Sequence, residues 1–202
     1  MLRGLEGRRI ALSVVHEDDS VERHAGIVSR ALEQSGARMH LLQAGEGTEE
    51  DWHGARYVAL VIVGDGAPGH VADARLVQLA REFLASEKPV AVFGGGVSVV
   101  LEAGGAAGRK VAAQGPLKSA VERAGGTVVD SAMTADGSLI TALGSTAVEE
   151  FATRVVREFS NQLEEREVDE MSEASFPASD PPATTPSSLG PVSTDPDSGA
   201  RP

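Results

Sequence analysis

Apolar residues along this chain fall into two recurring patterns. Residues 9–15, 57–63 and 90–93 are short apolar runs with almost no polar break, the signature of strands covered on both faces. Between them, Val21, Ile27, Val28, Ala31 and Leu32 recur at helical spacing up to Gly36, and Val71, Leu76, Leu79, Ala80, Phe83 and Leu84 do the same before Lys88. Residues 39–42 predict a second strand, followed by a polar loop over 45–54. Beyond residue 93 the pattern predicts a helix over 97–103 and a strand over 110–113. A helix then starts at Pro116, whose fixed φ suits the first helical position, and closes at Gly125-Gly126. Residues 127–129 read as a strand. Met133 and residues 139–142 flank the turn Ala135-Asp-Gly-Ser138 as in a hairpin. Val148, Phe151, Val155, Val156 and Phe159 mark a closing helix. Strands alternating with helices predict an α/β fold: a doubly wound, mainly parallel sheet with helices on both faces. Ligands of such sheets bind at the C-terminal strand ends, near a topological switch point.

The pattern changes after residue 160. Residues 161–202 hold seven of the ten prolines and nine acidic residues against two arginines. A segment so poor in apolar side chains does not offset the entropy of ordering it. The expected organisation is a folded domain over 1–160 and an acidic, Pro/Ser/Thr-rich disordered tail over 161–202, with the last helix free to run on through 164–170. Phe176 is the anchor of a candidate docking motif for a protein partner of that tail.

Composition narrows the chemistry. Aromatics make up 3% of the chain, so its core is aliphatic, and cysteine is absent. That removes disulfides, thiolate metal sites and a cysteine nucleophile. A net charge of −12 opposes binding to a phosphate backbone. No apolar run reaches membrane-spanning length, and the first residues lack the apolar core of a signal peptide. The expectation is a cytoplasmic protein without nucleic-acid or membrane partners and without a resident cofactor or metal.

The strand over 90–93 ends in Gly94-Gly-Gly96 and turns directly toward a helix. In many α/β enzymes such an elbow presents a nucleophile; here no nucleophilic side chain stands at the turn. Ser98 is the nearby hydroxyl, but its setting does not match G-x-S-x-G. Gly64-Asp-Gly-Ala-Pro-Gly69 matches G-x-G-x-x-G, yet a tight turn is the better reading. Gly94 stands where a dinucleotide site wants an acid, and Asp65 would repel phosphate. His16, Glu17, Asp18, Asp19 and Glu22 gather after the first strand. They read as a solvated helix-capping loop before they read as a cation site. His24, His40, His53 and His70 are scattered, and Trp52 and Tyr57 belong either to a loop or to a subunit contact.

Several stretches in one order carry a resemblance: Leu5-Glu-Gly-Arg-Arg-Ile-Ala-Leu12, Arg30-Ala-Leu-Glu-Gln-Ser-Gly-Ala37, Tyr57-Val-Ala-Leu-Val-Ile-Val-Gly64, Lys88-Pro-Val-Ala-Val-Phe93, residues 104–113, Glu122-Arg-Ala-Gly125 and residues 129–141. Together they resemble the PfpI-like intracellular protease and deglycase family of the class I glutamine amidotransferase-like superfamily, which implies a flavodoxin-like fold. Where that family usually reads Ala-Ile-Cys-His-Gly, this chain reads Val92-Phe-Gly-Gly-Gly96. The resemblance thus puts Gly94 at the nucleophile and Gly95 at the histidine. It puts Asp19 at the acid that tunes the thiol, Glu22 at a second acidic position, and Gly64-Asp65 at the oxyanion turn, where a carboxylate opposes a developing negative charge. These degenerate positions imply a non-catalytic module that binds, regulates or scaffolds, similar to the cysteine-less domain at the C-terminus of large catalases. It would self-associate as relatives do and hold a small ligand beside His16, Asp19, Asp65, Gly94, Gly95 and Gly96. The rival readings are a hydrolase or lyase using carboxylate, histidine or metal chemistry in the same crevice, and an adaptor working through the acidic tail.

Overall fold

The computed structural model describes residues 4–15, 19–64 and 73–175. Eight strands and five α-helices follow one another as β1 (Arg9–Val15), α1 (Asp19–Gln34), β2 (Arg38–Leu42), β3 (Ala59–Gly64), α2 (Ala74–Ala85), β4 (Val90–Gly94), α3 (Val97–Glu102), β5 (Lys110–Ala112), α4 (Pro116–Arg123), β6 (Thr127–Val129), β7 (Met133–Asp136), β8 (Leu139–Ala142) and α5 (Val148–Ser175). Two short 3-10 turns, Glu49–Trp52 and Gly54–Arg56, shape the connection from β2 to β3. The main sheet has the order β2-β1-β3-β4-β8-β7, parallel except for β7. β5 and β6 pair separately and in parallel. This is the doubly wound, mainly parallel sheet that the apolar runs predict, and the flavodoxin-like fold that the resemblance implies.

Period-two alternation explains why those runs show no polar break. Ala11, Leu60, Ile62, Val90 and Val92 face one core with Leu76, Leu79 and Phe83 of α2, Val99 and Val100 of α3, and Val121 of α4. Their strand neighbours Ile10, Leu12, Val61, Val63, Ala91 and Phe93 face a second core with Val28 and Leu32 of α1 and Phe151, Val155 and Phe159 of α5. Each central strand is therefore buried on both sides. The buried hydroxyls are matched where they join elements: Ser13 Oγ donates to Leu42 O at 3.0 Å, and Thr141 Oγ1 accepts from Ala112 N at 2.8 Å, joining the small sheet to the large one.

Three expectations change. The hairpin turn is Gly137-Ser138, because Ala135 and Asp136 pair with Ile140 and Leu139. Helix α2 starts at Ala74, capped by Asp73; Val71 lies outside the described residues. The structured chain also passes residue 160. Helix α5 continues to Ser175, and Leu163 is buried in the second core. Gln162 Nε2 donates to Gly137 O at 3.2 Å, Arg166 Nη1 to Glu87 O at 2.9 Å, and Arg8 pairs with Glu167. The helix thus runs through and past 164–170, held by one buried leucine and these polar contacts. Phe176 lies outside the described residues.

Candidate functional site

Strand order reverses at β1, which has β2 on one side and β3 on the other. In open α/β sheets the crevice at such a reversal, beyond the C-terminal strand ends, is the customary ligand site. Val15, Gly64 and Gly94 are in register across β1, β3 and β4 at that edge. His16, Glu17, Asp18 and Asp65 lie outside the described residues, as does the Gly-rich turn after Gly64. Asp19 is the first residue of α1 and is exposed.

The glycines are brought together, and their packing is tight. Gly64, Gly94, Gly95 and Gly96 are all buried. Gly94 has φ +59°, the left-handed region that a nucleophile elbow uses. Its missing side chain would emerge straight onto the carbonyl oxygen of Gly64. That same oxygen accepts a hydrogen bond from Gly95 N at 2.9 Å, and Gly96 N donates to Phe93 O at 3.2 Å. A Cβ on Gly64 would lie 2.7 Å from Gly96 N, and one on Gly96 would lie 3.0 Å from side-chain atoms of both Ile62 and Val92. The end of β3 and the β4–α3 turn thus meet backbone to backbone. The backbone N–H groups of Gly95 and Gly96 are therefore already engaged within the elbow. Ser98 Oγ donates to Gly95 O at 2.9 Å, so its hydroxyl is tied into the turn.

Residues that the sequence did not single out complete this edge. Gly144, after β8, lies so close that a side chain on Gly94 would touch its Cα at 3.4 Å. Gln114, after β5, places its amide nitrogen 3.7 Å from where a Gly144 side chain would begin, and Ser145 Oγ donates to Gln114 Oε1 at 3.4 Å. The usable signal was positional: both residues follow the C-terminal ends of strands. His24 packs edge-on against Phe93, with ring centroids 5.2 Å apart, directly below the elbow. Among the described residues no three His, Asp or Glu side chains gather as a metal site, and no helix is long and apolar enough to cross a membrane.

The loop beside α2 is held by charge and stacking. Asp73 caps α2: its carboxylate accepts from Arg75 N at 2.8 Å, from Gly45 N at 3.2 Å and from the Arg75 guanidinium at 2.8 Å. The Arg75 side chain, then those backbone N–H groups, lower the Asp73 pKa to about 2. Arg75 also lies over Trp52, 4.6 Å from the ring centroid, while Trp52 Nε1 donates to Glu46 O at 3.1 Å. Tyr57 Oη donates to Asp51 O at 2.8 Å and meets His40 Nδ1 at 2.9 Å. Because the phenol has a single proton, His40 Nδ1 carries the hydrogen of the second bond. Trp52 and Tyr57 therefore belong to this loop.

A doubly wound sheet whose fourth strand turns through a left-handed glycine directly into a helix is the architecture in hand. The DJ-1/PfpI family model matches residues 18–158, and the chain belongs to that family. Protein DJ-1 homolog D of Arabidopsis thaliana is 34% identical over 113 residues, which are 53% of this chain and 29% of that protein. The match therefore spans less than a third of the relative's length. Among solved structures, a ThiJ/PfpI domain protein from Brachyspira murdochii superposes with a TM-score of 0.65 at 20% identity, covering 78% of this chain and 98% of that one. DJ-1beta of Drosophila melanogaster gives 0.61 at 16% identity, covering 85% and 100%. A two-domain protein of Anabaena variabilis, with DJ-1/ThiJ/PfpI-like and ferritin-like domains, gives 0.64 at 20% identity, covering 75% and 49%. At these identities the structures speak for the fold.

Proposed function

We propose that this chain is a non-catalytic member of its family, acting as a binding, regulatory or structural module. The observation that supports the reading is the Gly64 carbonyl occupying the direction in which a side chain at Gly94 would leave the backbone. Thiol chemistry needs more than a cysteine codon at this elbow. The attacking atom must have space above the turn and an unspent donor facing the developing oxyanion. Here the space is filled by an acceptor oxygen, and the N–H of Gly95 is bonded to that oxygen.

Peptidase and dicarbonyl-adduct assays on the full chain should give background rates, and Gly94→Cys should not raise them. Enzyme-like turnover by the wild type that is lost in Asp19→Asn would overturn the proposal and move the chemistry to the carboxylates of this edge. A small ligand of the crevice, on this reading, meets the Gln114 and Ser145 side chains in place of the elbow N–H groups. Self-association belongs to the same reading and is supported by family membership.

A further inference from the structure

The opposite edge of the sheet, where the parallel strands begin, carries a cleft of about 410 Å³, within the range of small-molecule sites. It lies between the start of β5, the β7–β8 turn and the last packed turns of α5, on the other side of the sheet from the elbow. Two arginines line it. Arg109 Nη1 donates to Asp136 O at 3.5 Å, and Arg166 Nη1 donates to Ser86 O and Glu87 O at 3.3 and 2.9 Å. Neither guanidinium forms an ion pair among the described residues, although Glu87, Glu165 and Asp169 stand exposed around the rim.

Two side chains in the same cleft hold buried polar atoms without partners. Ser138 is 8% exposed and its Oγ has no hydrogen bond, and the same is true of Gln162 Oε1. An unmatched buried polar atom costs about 1–3 kcal/mol, and two in one cleft call for a cause. Gln162 Nε2 donates to Gly137 O. That fixes the amide orientation and leaves Oε1 needing a donor, while the Ser138 hydroxyl can donate. One ligand chemistry answers all four features. A carboxylate suits the arginines and Ser138, and an ammonium suits Gln162 Oε1 and the acidic rim.

We propose that this cleft, formed by Arg109, Ser138, Gln162 and Arg166, binds a small zwitterion of the α-amino-acid type. The site is independent of the elbow, so the fate of the non-catalytic reading does not bear on it. Arg109 and Arg166 hold the carboxylate, and Gln162 with the rim carboxylates holds the ammonium.

Calorimetric titration and thermal unfolding of the full chain, with L-alanine and L-glutamine as probes, test this. Propionate and ethylamine serve as the two halves of the ligand. At least one amino acid should bind and raise the unfolding midpoint. Each half should bind at least about tenfold more weakly, as should the amino acid to Arg109→Ala, the loss expected for one charge-assisted bond. Ser138→Ala should unfold at a higher temperature than wild type without ligand, since it removes an unmatched hydroxyl, and should lose the response to the amino acid. No response to either amino acid overturns the proposal, as does an equal response in Ser138→Ala. Propionate binding as well as the amino acids would make this a plain anion site and overturns it too.

Discussion

The Asp73 carboxylate anchors both the start of α2 and the loop that follows β2, and its removal should be visible in stability and in the pH dependence of stability. The side chain is 16% exposed, with its pKa lowered from 3.8 to about 2. Taken whole, that shift corresponds to about 2.5 kcal/mol at neutral pH. Its main partner Arg75 is 32% exposed, so solvent screening reduces the figure to about 1–2 kcal/mol, consistent with the loss of an N-cap. Asp73→Ala should therefore lower the melting temperature by roughly 3–6 °C. The folded-state value is depressed, so the contribution is complete above the unfolded value of 3.8 and is lost as the pH falls through about 2. Urea unfolding followed by far-UV circular dichroism at constant ionic strength would show the gap between wild type and Asp73→Ala closing between about pH 4 and pH 2. Asp73→Asn keeps a capping oxygen but no charge, and should fall between the two. A gap at pH 2 as wide as at pH 7 would refute the reasoning, as would a gap under about 0.3 kcal/mol at pH 7.

Gly94→Ala and Gly104→Ala form a matched pair, since both positions have positive φ but only Gly94 has backbone in the way. The expected losses in urea unfolding are about 1 kcal/mol at Gly104 and about 3 kcal/mol or more at Gly94. Equal losses would mean that the Gly64 carbonyl yields easily. Truncation after Gln162 removes buried Leu163 and the Arg166 and Glu167 contacts, and should cost about 2–4 kcal/mol. Truncation after Ser175 should change stability by less than about 0.5 kcal/mol; both follow from unfolding midpoints. Sedimentation at micromolar concentration should show a dimer or larger species, and a clean monomer would end the self-association proposal.

Much of the fold was legible because its cores are built from aliphatic strands buried on both faces. Residues 9–15, 90–93 and 127–129 announce themselves by apolar content alone, and Pro116 by its fixed φ. What escaped depends on contacts distant in sequence. The docking of α5 beyond residue 160 turns on Leu163, Arg166 and Glu167, three residues inside a charged run, whose partners are Arg8 and the carbonyl end of α2. Asp73 precedes α2 as an N-cap should, and its bond to Arg75 N is local; only its hold on Gly45, 28 residues away, depends on tertiary structure. At the elbow, the resemblance puts the glycines at the family's nucleophile and histidine positions, but it does not show how they pack. The fold uses them for close approach of two backbones. A row of glycines marks the absence of side chains without saying what fills the volume.

That approach bears on what variation can do to this chain. Gly64 and Gly96 exclude side chains from each other's positions, and the Gly64 carbonyl excludes one from Gly94. A single substitution that places a thiol at Gly94 therefore meets a steric barrier before any chemistry is tested. Accommodating it requires the end of β3 to move in concert. The dovetailed backbones act as a ratchet: each glycine holds its neighbours to glycine, and none of them is easily replaced alone.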